Sequence, residues 1–169
     1  MQHLFWLVPR VLVGRSGPTK DLWNLQHLRD AGIGAVLSVN DGALCHPEDF
    51  EKVGLLYRCL ALSPNAPPQP GDLEHCVAVL PDAYAFVLAN EEQGLATLVH
   101  CHSGKDRTAL FMAYYLCRRR GLPGAAAIER VKAVRPIAFT AVGWEEFALE
   151  VLASTTSSSS SGPHWIVAQ

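Results

Sequence analysis

Hydrophobic residues along this chain follow two rhythms: short unbroken apolar runs, and longer stretches with apolar residues three or four positions apart. The short runs predict strands at 11–14 (VLVG), 35–39 (AVLSV), 57–62 (YRCLAL) and 96–100 (ATLVH). Thr19 is placed to cap a helix carrying Leu22, Leu25 and Leu28, which Gly32 ends. A second helix from Asp72 sets Leu73, Cys76, Val77, Leu80, Tyr84, Val87 and Leu88 on one face, with a kink expected at Pro81. A third covers 107–120 and is ended by Gly121 and Pro123; two more helical patterns occupy 124–134 and 141–152. This order predicts an α/β fold with a central, mostly parallel sheet flanked by helices.

Two stretches break the rhythm. Residues 63–71 (SPNAPPQPG) must form an extended, proline-rich connection. Residues 154–162 are almost all Ser and Thr and are expected to be a flexible linker, with 163–169 a loose tail.

Composition narrows the classes. The 169 residues suit one domain, and with 49% hydrophobic and 18% charged residues most of the chain is expected to fold. A formal net charge of −2 offers no global attraction to nucleic acid or an anionic membrane, so any anion site must be a local concentration of donors. No apolar run approaches the roughly 20 residues of a membrane span, so no stable membrane insertion is expected. The first ten residues lack the features of a signal peptide, which leaves the cytoplasm as the expected location. Five cysteines without a C-x-x-C pair argue against a disulfide framework or a zinc site.

The chemistry concentrates in Leu98 to Phe111, LVHCHSGKDRTALF. Cys101 stands at the carboxyl end of a predicted strand, where open α/β sheets bind ligands, and a helix starts near Arg107. Gly104 permits a close backbone turn, so the amides of His102, Ser103, Gly104, Lys105 and Asp106 can point inward as an anion nest at the positive end of the helix. A helix N-terminus and a neighbouring guanidinium favour a thiolate at Cys101. Arg107 can grip two phosphate oxygens with its planar fork, and the Thr108 hydroxyl can donate to the sulfur when it leaves. An anion nest, an ionised nucleophile and a cationic fork together point to attack on phosphorus. The nucleotide P-loop is a poor match, since SGKD lacks both the upstream glycine and a Ser or Thr after the lysine.

His100, Cys101, five intervening residues, Arg107 and Thr108 resemble the signature loop of the cysteine-dependent protein tyrosine and dual-specificity phosphatases. Residues 130–147 (RVKAVRPIAFTAVGWEEF) look like that family's late helical region, and 7–19 (LVPRVLVGRSGPT) like its first strand. The resemblance implies a phosphatase domain over 1–153. It also implies a thiophosphoryl-enzyme intermediate on Cys101, no metal and no other cofactor.

The departure from the family pattern concerns the general acid, commonly an aspartate about thirty residues upstream of the cysteine. Ser63, Pro64 and Asn65 stand there instead, and Asp72 is the sole carboxylate of that connection. Asp72 also suits a helix N-cap. Asp106 is the rival and ranks ahead: the GKDR arrangement resembles a subset, including lipid-directed myotubularins and some bacterial tyrosine phosphatases, in which this aspartate is credited with acid function. Its alternative is a favourable charge in the first turn of a helix. His100 is expected to orient the cysteine loop. His102 either adds charge to the rim or is a solvated loop histidine; Lys105 either widens a basic pocket toward multiply phosphorylated head groups or is simply exposed. Arg135 either supports the loop from behind or forms a surface ion pair.

The expected substrate is a phosphorylated protein, foremost one bearing phosphotyrosine, with phosphoserine and phosphothreonine open. A phosphoinositide or other small phosphate is the alternative. A non-catalytic phosphate-binding module, and a sulfur or arsenate enzyme with a resolving cysteine, are the remaining readings.

Overall fold

The computed structural model describes residues 3–157. Five strands form one sheet: β1 (Phe5–Val8), β2 (Leu12–Ser16), β3 (Ile33–Ser38), β4 (Leu56–Cys59) and β5 (Ala96–Cys101), in the spatial order β1-β2-β5-β3-β4. Only the β1–β2 hairpin is antiparallel; β2, β5, β3 and β4 run parallel. β2, β3 and β5 are buried along their whole length, which is why they read as continuous apolar runs rather than alternating ones.

Helices cover both faces. α1 (Leu25–Asp30) and α2 (Pro47–Lys52) lie on one side with a core built from Val13, Ile33, Val36 and Leu98. On the other side are α3 (Asp72–Glu92), α4 (Arg107–Arg120), α5 (Gly124–Val134) and α6 (Trp144–Ser157), sharing a larger core with Leu12, Leu37 and Val99. Successive strand residues point to opposite faces, so Val99 and Cys101 belong to the four-helix side. His100 contacts Trp23 and Ser38 on the side of α1 and α2. α4 is buried from Thr108 to Leu116, making it the central helix.

Several boundaries differ from the sequence expectation. Thr19 does not cap α1: Asn24 does, accepting from the His27 amide, and the helix starts after Leu22. β1 and α2 escape periodicity because one has four residues and the other six, too few to establish a repeat. α3 continues through Pro81 as one 21-residue helix. Its N-cap is Gly71 in the left-handed region, not Asp72, which is the first helical residue.

α6 begins at Trp144 and runs on to Ser157, so the first four residues of the expected linker are helical. There Ser154 donates to the Glu150 carbonyl, Thr155 to Leu152 and Thr156 to Ala153, which lets small polar residues lie along a helix. The remainder of that linker and the tail at 163–169 lie outside the described residues. None of the described helices is long and apolar enough to cross a membrane.

Candidate active site

The parallel register brings Ser16 of β2 opposite Cys101, and Ser38 of β3 opposite His100, at the carboxyl edge of the sheet. Here β5 ends and the chain turns through 102–106 into α4. The turn is held from outside by its carbonyls. The Cys101 carbonyl faces Nδ1 of His100 at 3.2 Å, and that of His102 accepts from the Gly17 amide at 2.9 Å. Arg135 donates to Ser103 from Nη2 (2.8 Å) and to Gly104 from Nε (3.2 Å), while the Lys105 carbonyl accepts from the Phe139 amide at 3.4 Å.

With five successive carbonyls turned outward, the intervening amides are turned the other way. None of the amides of Ser103, Gly104, Lys105 and Asp106 finds an acceptor among the described residues. These are unspent donors at the N-terminus of a 14-residue helix, the arrangement that receives an oxyanion. Gly104 is required: it has φ +61°, and a Cβ there would lie 2.6 Å from the Arg15 carbonyl oxygen.

Cys101 is 2% exposed, and its sulfur accepts from the Thr108 hydroxyl at 3.2 Å. His100 is fully buried; its Nε2 lies 2.6 Å from the Ser38 hydroxyl, which meets the Tyr57 hydroxyl at 2.8 Å. Burial pushes the His100 imidazole down to about 4, against smaller opposing effects of the Cys101 carbonyl and Asp41. It is therefore neutral at physiological pH and serves as a brace. Trp23 packs edge-on against its ring at 4.5 Å.

Arg107 is engaged differently from expectation. Its Nε donates to the Ser63 carbonyl (2.8 Å) and its Nη2 to that of Asn65 (3.1 Å), with the guanidinium 4.7 Å over the Trp144 ring. The fork thus ties the 63–71 connection to the nest. Trp144, fully buried, reinforces the tie through Nε1 to the same Asn65 carbonyl at 3.1 Å.

The two acid candidates part company. Asp72 accepts from the Gln69 amide at 2.6 Å and from the Asn65 side-chain amide at both oxygens. Burial alone would push this carboxyl up, but the Gln69 and Asn65 bonds outweigh it and hold it below the usual carboxylate range. Asp106 is 5% exposed and caps no amide of α4. Among the described residues its carboxylate meets the Ala141 amide at 3.4 Å and Lys105 at 3.8 Å. Burial pushes its carboxyl up, and Lys105, Ala141 and Arg107 only partly oppose this.

On the rim, His102 faces the Thr19 hydroxyl at 3.0 Å and Asp41 at 3.7 Å, and Thr19 also donates to Asp41. Lys20 donates to the Ser103 hydroxyl at 3.3 Å, and the Lys105 side chain is 26% exposed beside Asp106. No group of three or more His, Cys, Asp or Glu among the described residues is placed to hold a metal ion.

Sequence reasoning missed the place at this site of Thr19, Asp41 and Trp144, which lie 82, 60 and 43 positions from Cys101. The spent carbonyls of Ser63 and Asn65 leave no trace in residue type. Asp41 alone gave a signal, an Asp-Gly pair after a strand, and it adopts φ +59°.

Comparison with known proteins agrees with this geometry. Residues 1–141 match the family model of a Swiss Army Knife protein, DSP-PTPase phosphatase domain. Human dual specificity protein phosphatase 12 is 32% identical over 125 residues, covering 70% of this chain and 33% of the relative. Phosphatidylglycerophosphate phosphatase PTPMT2 of Arabidopsis thaliana is 27% identical over 138 residues, covering 75% and 52%. The chain thus spans about a third to a half of these curated relatives. Among solved structures, Tk-PTP in its active form superposes with a TM-score of 0.74 at 20% identity, covering 92% of this chain and 97% of that one. PTPMT1 in complex with PI(5)P gives 0.73 at 20% identity, covering 93% and 99%. Its sequence match, sheet and cysteine-centred loop together make this chain a member of the DSP-PTPase family, within the cysteine-dependent protein tyrosine and dual-specificity phosphatases.

Proposed function

We propose that the chain hydrolyses phosphomonoesters through Cys101, with phosphorylated proteins as substrates. The observation that carries this reading is the nest: outward-tied carbonyls at 101–105, free amides between them, and a sulfur already bonded to Thr108.

In the first step the Cys101 thiolate forms a bond to phosphorus and the bond to the ester oxygen breaks. That oxygen leaves with a proton from Asp106, whose raised carboxyl favours the protonated form. In the second step water attacks the thiophosphoryl group and gives a proton to the Asp106 carboxylate. The P–S bond then breaks, and the thiolate leaves into the hydrogen bond of Thr108. Amides of 102–106 and the unspent edge of Arg107 bear the charge on the equatorial oxygens. Asp72, held ionised by Gln69 and Asn65, shapes the neighbouring connection instead.

A second reading keeps the chemistry and takes a phosphoinositide. Its support is Lys105 at the nest, together with the fold shared with PTPMT1, which is solved in complex with PI(5)P. Phosphate release is measured without added metal from a phosphotyrosyl peptide and from a phosphoinositide, for the native chain and Cys101→Ser. Release from the peptide by the native chain alone is the expected result. Release by both proteins would overturn the thiolate mechanism, and preference for the lipid would establish the second reading.

A further inference from the structure

Beside the nest, on the side of α1 and α2, lies a cavity of about 260 Å³ lined by Pro18, Leu22, Trp23, Leu44, His46 and Phe50, among others. Its wall adjoins the loop that carries the nest. Trp23, in its wall, packs on the ring of His100, and Cys45, also in its wall, has its sulfur 3.7 Å from Nε2 of the same residue. Thr19 and Lys20, between Pro18 and Leu22, contact His102 and Ser103.

Two large apolar side chains of this wall face solvent, Leu22 at 93% and Leu44 at 56% exposure. Neither sits on a loose segment. Buried Arg15 donates to the carbonyls of Asp21 (3.3 Å) and Leu22 (3.4 Å), and Trp23 donates from Nε1 to the Ser16 carbonyl at 2.9 Å. Ser16 bonds Asp21, and the Lys20 and Asp21 amides both return to the Gly17 carbonyl. On the other wall the Cys45 amide bonds the Gly42 carbonyl at 3.0 Å. A leucine with no burial of its own, held on a segment tied at this many points, is a preorganised contact surface.

Resting on the proposed phosphoprotein activity, we infer that this pocket receives a bulky apolar side chain flanking the phosphorylated residue of a polypeptide substrate, and so selects among phosphorylation sites. The volume suits one side chain and is below the usual range for larger ligands. The lining includes one carboxylate, Asp49, and no lysine or arginine to draw an anionic lipid head group, which favours a peptide over a membrane.

The test uses phosphotyrosyl peptides in which each flanking position carries Ala, Leu or Phe in turn, assayed with the native chain, Leu22→Ser and Leu22→Ser/Leu44→Ser. A small aryl phosphate and phosphoinositide-containing phosphatidylcholine vesicles serve as comparisons. The native chain is expected to prefer Leu or Phe over Ala at one position by about tenfold in kcat/KM. That preference is expected to fall toward unity in the double variant, with aryl phosphate turnover unchanged. A flat profile at measurable peptide turnover, or a preference that survives in the double variant, would overturn the pocket's role alone. Turnover of the aryl phosphate but of no peptide would overturn the protein-substrate reading and the pocket with it. Vesicle turnover lost in the double variant, with no peptide preference, would assign the pocket to lipid and overturn the inference.

Discussion

Nε of Arg107 donates to the carbonyl of Ser63 at 2.8 Å, joining the first turn of α4 to a connection 44 positions earlier in the chain. One guanidinium thereby stands between the phosphate nest and the 63–71 segment that borders it. Two of its nitrogens serve the loop, and in the proposed mechanism the remaining donors serve the phosphate.

Lysine cannot hold this arrangement, because its single compact ammonium lacks the planar fork whose separate nitrogens reach two carbonyls at once. Arg107→Lys is expected to lower kcat by about a hundredfold or more, the loss typical of removing one transition-state donor. Amide hydrogen exchange across 63–71 should accelerate in the same variant. Unchanged exchange alongside lost activity would confine Arg107 to the phosphate.

The two aspartates separate by leaving group and by pH. Asp106→Asn is expected to lower kcat by about a hundredfold or more with an alkyl or unactivated aryl phosphate, and far less with an activated phenol that departs without a proton. A raised folded carboxyl must be protonated to act, so activity should decline as pH rises through it, and that limb should vanish in Asp106→Asn. The same buried carboxyl costs stability once ionised, so Asp106→Asn should be more stable than the native chain at pH 7. Asp72 carries the opposite sign: it stabilises above its unfolded pKa, and the benefit is lost as pH falls through its lowered folded value. Asp72→Asn should therefore destabilise at neutral pH, with a deficit that closes in strong acid. Urea unfolding across pH, beside turnover of two substrates, checks all four signs.

Arg135 anchors the nest from behind through Ser103 and Gly104, with its guanidinium over Phe5 at 4.8 Å. Arg135→Ala removes the donors that turn two carbonyls outward, so the intervening amides lose their orientation. Vanadate inhibition should weaken roughly 10- to 100-fold, the worth of one to two hydrogen bonds to a charged donor, with the fold intact by circular dichroism. Undiminished vanadate affinity would reduce Arg135 to a packing role.

How far these features could be read from residue order depends on their range. Cys101, Arg107 and Thr108 are legible because a strand end, a turn and a helix start lie within eight residues; Thr108 reaches the Cys101 sulfur as their spacing suggests, whereas the bonds of Arg107 to the 63–71 connection are not written in it. The central strands were legible because burial on both faces demands unbroken apolar runs. Asp72 suits both an acid and a helix cap in the sequence, because Pro-Gly-Asp before a periodic run fits the cap locally, yet Gly71 takes the cap position. Asn65, seven residues back, is folded over the Asp72 carboxylate. His102 was legible as a rim residue, but its partners Thr19 and Asp41 were not, since their meeting depends on three separate strand ends reaching one sheet edge.

His100 offers a pH test of the brace behind Cys101. Its imidazole, fully buried against Ser38 and Trp23, has a folded value of about 4 against 6.5 in the unfolded chain. Well above pH 6.5 the ring is neutral in both states and contributes no pH dependence. As pH falls below 6.5 the unfolded chain takes up a proton that the folded one refuses, so stability drops. The drop continues until the folded ring also protonates near 4. That gap corresponds to about 3 kcal/mol. In His100→Asn no ring titrates in either state, so the variant should be less stable at pH 7, for want of the imidazole's packing and bonds, yet lose less on acidification to pH 4.5. Urea unfolding at half-unit steps from pH 7 to 4.5 reads the difference between the two curves. Parallel curves would mean that the native ring accepts its proton inside the fold, and that the 2.6 Å contact with Ser38 survives in the charged state.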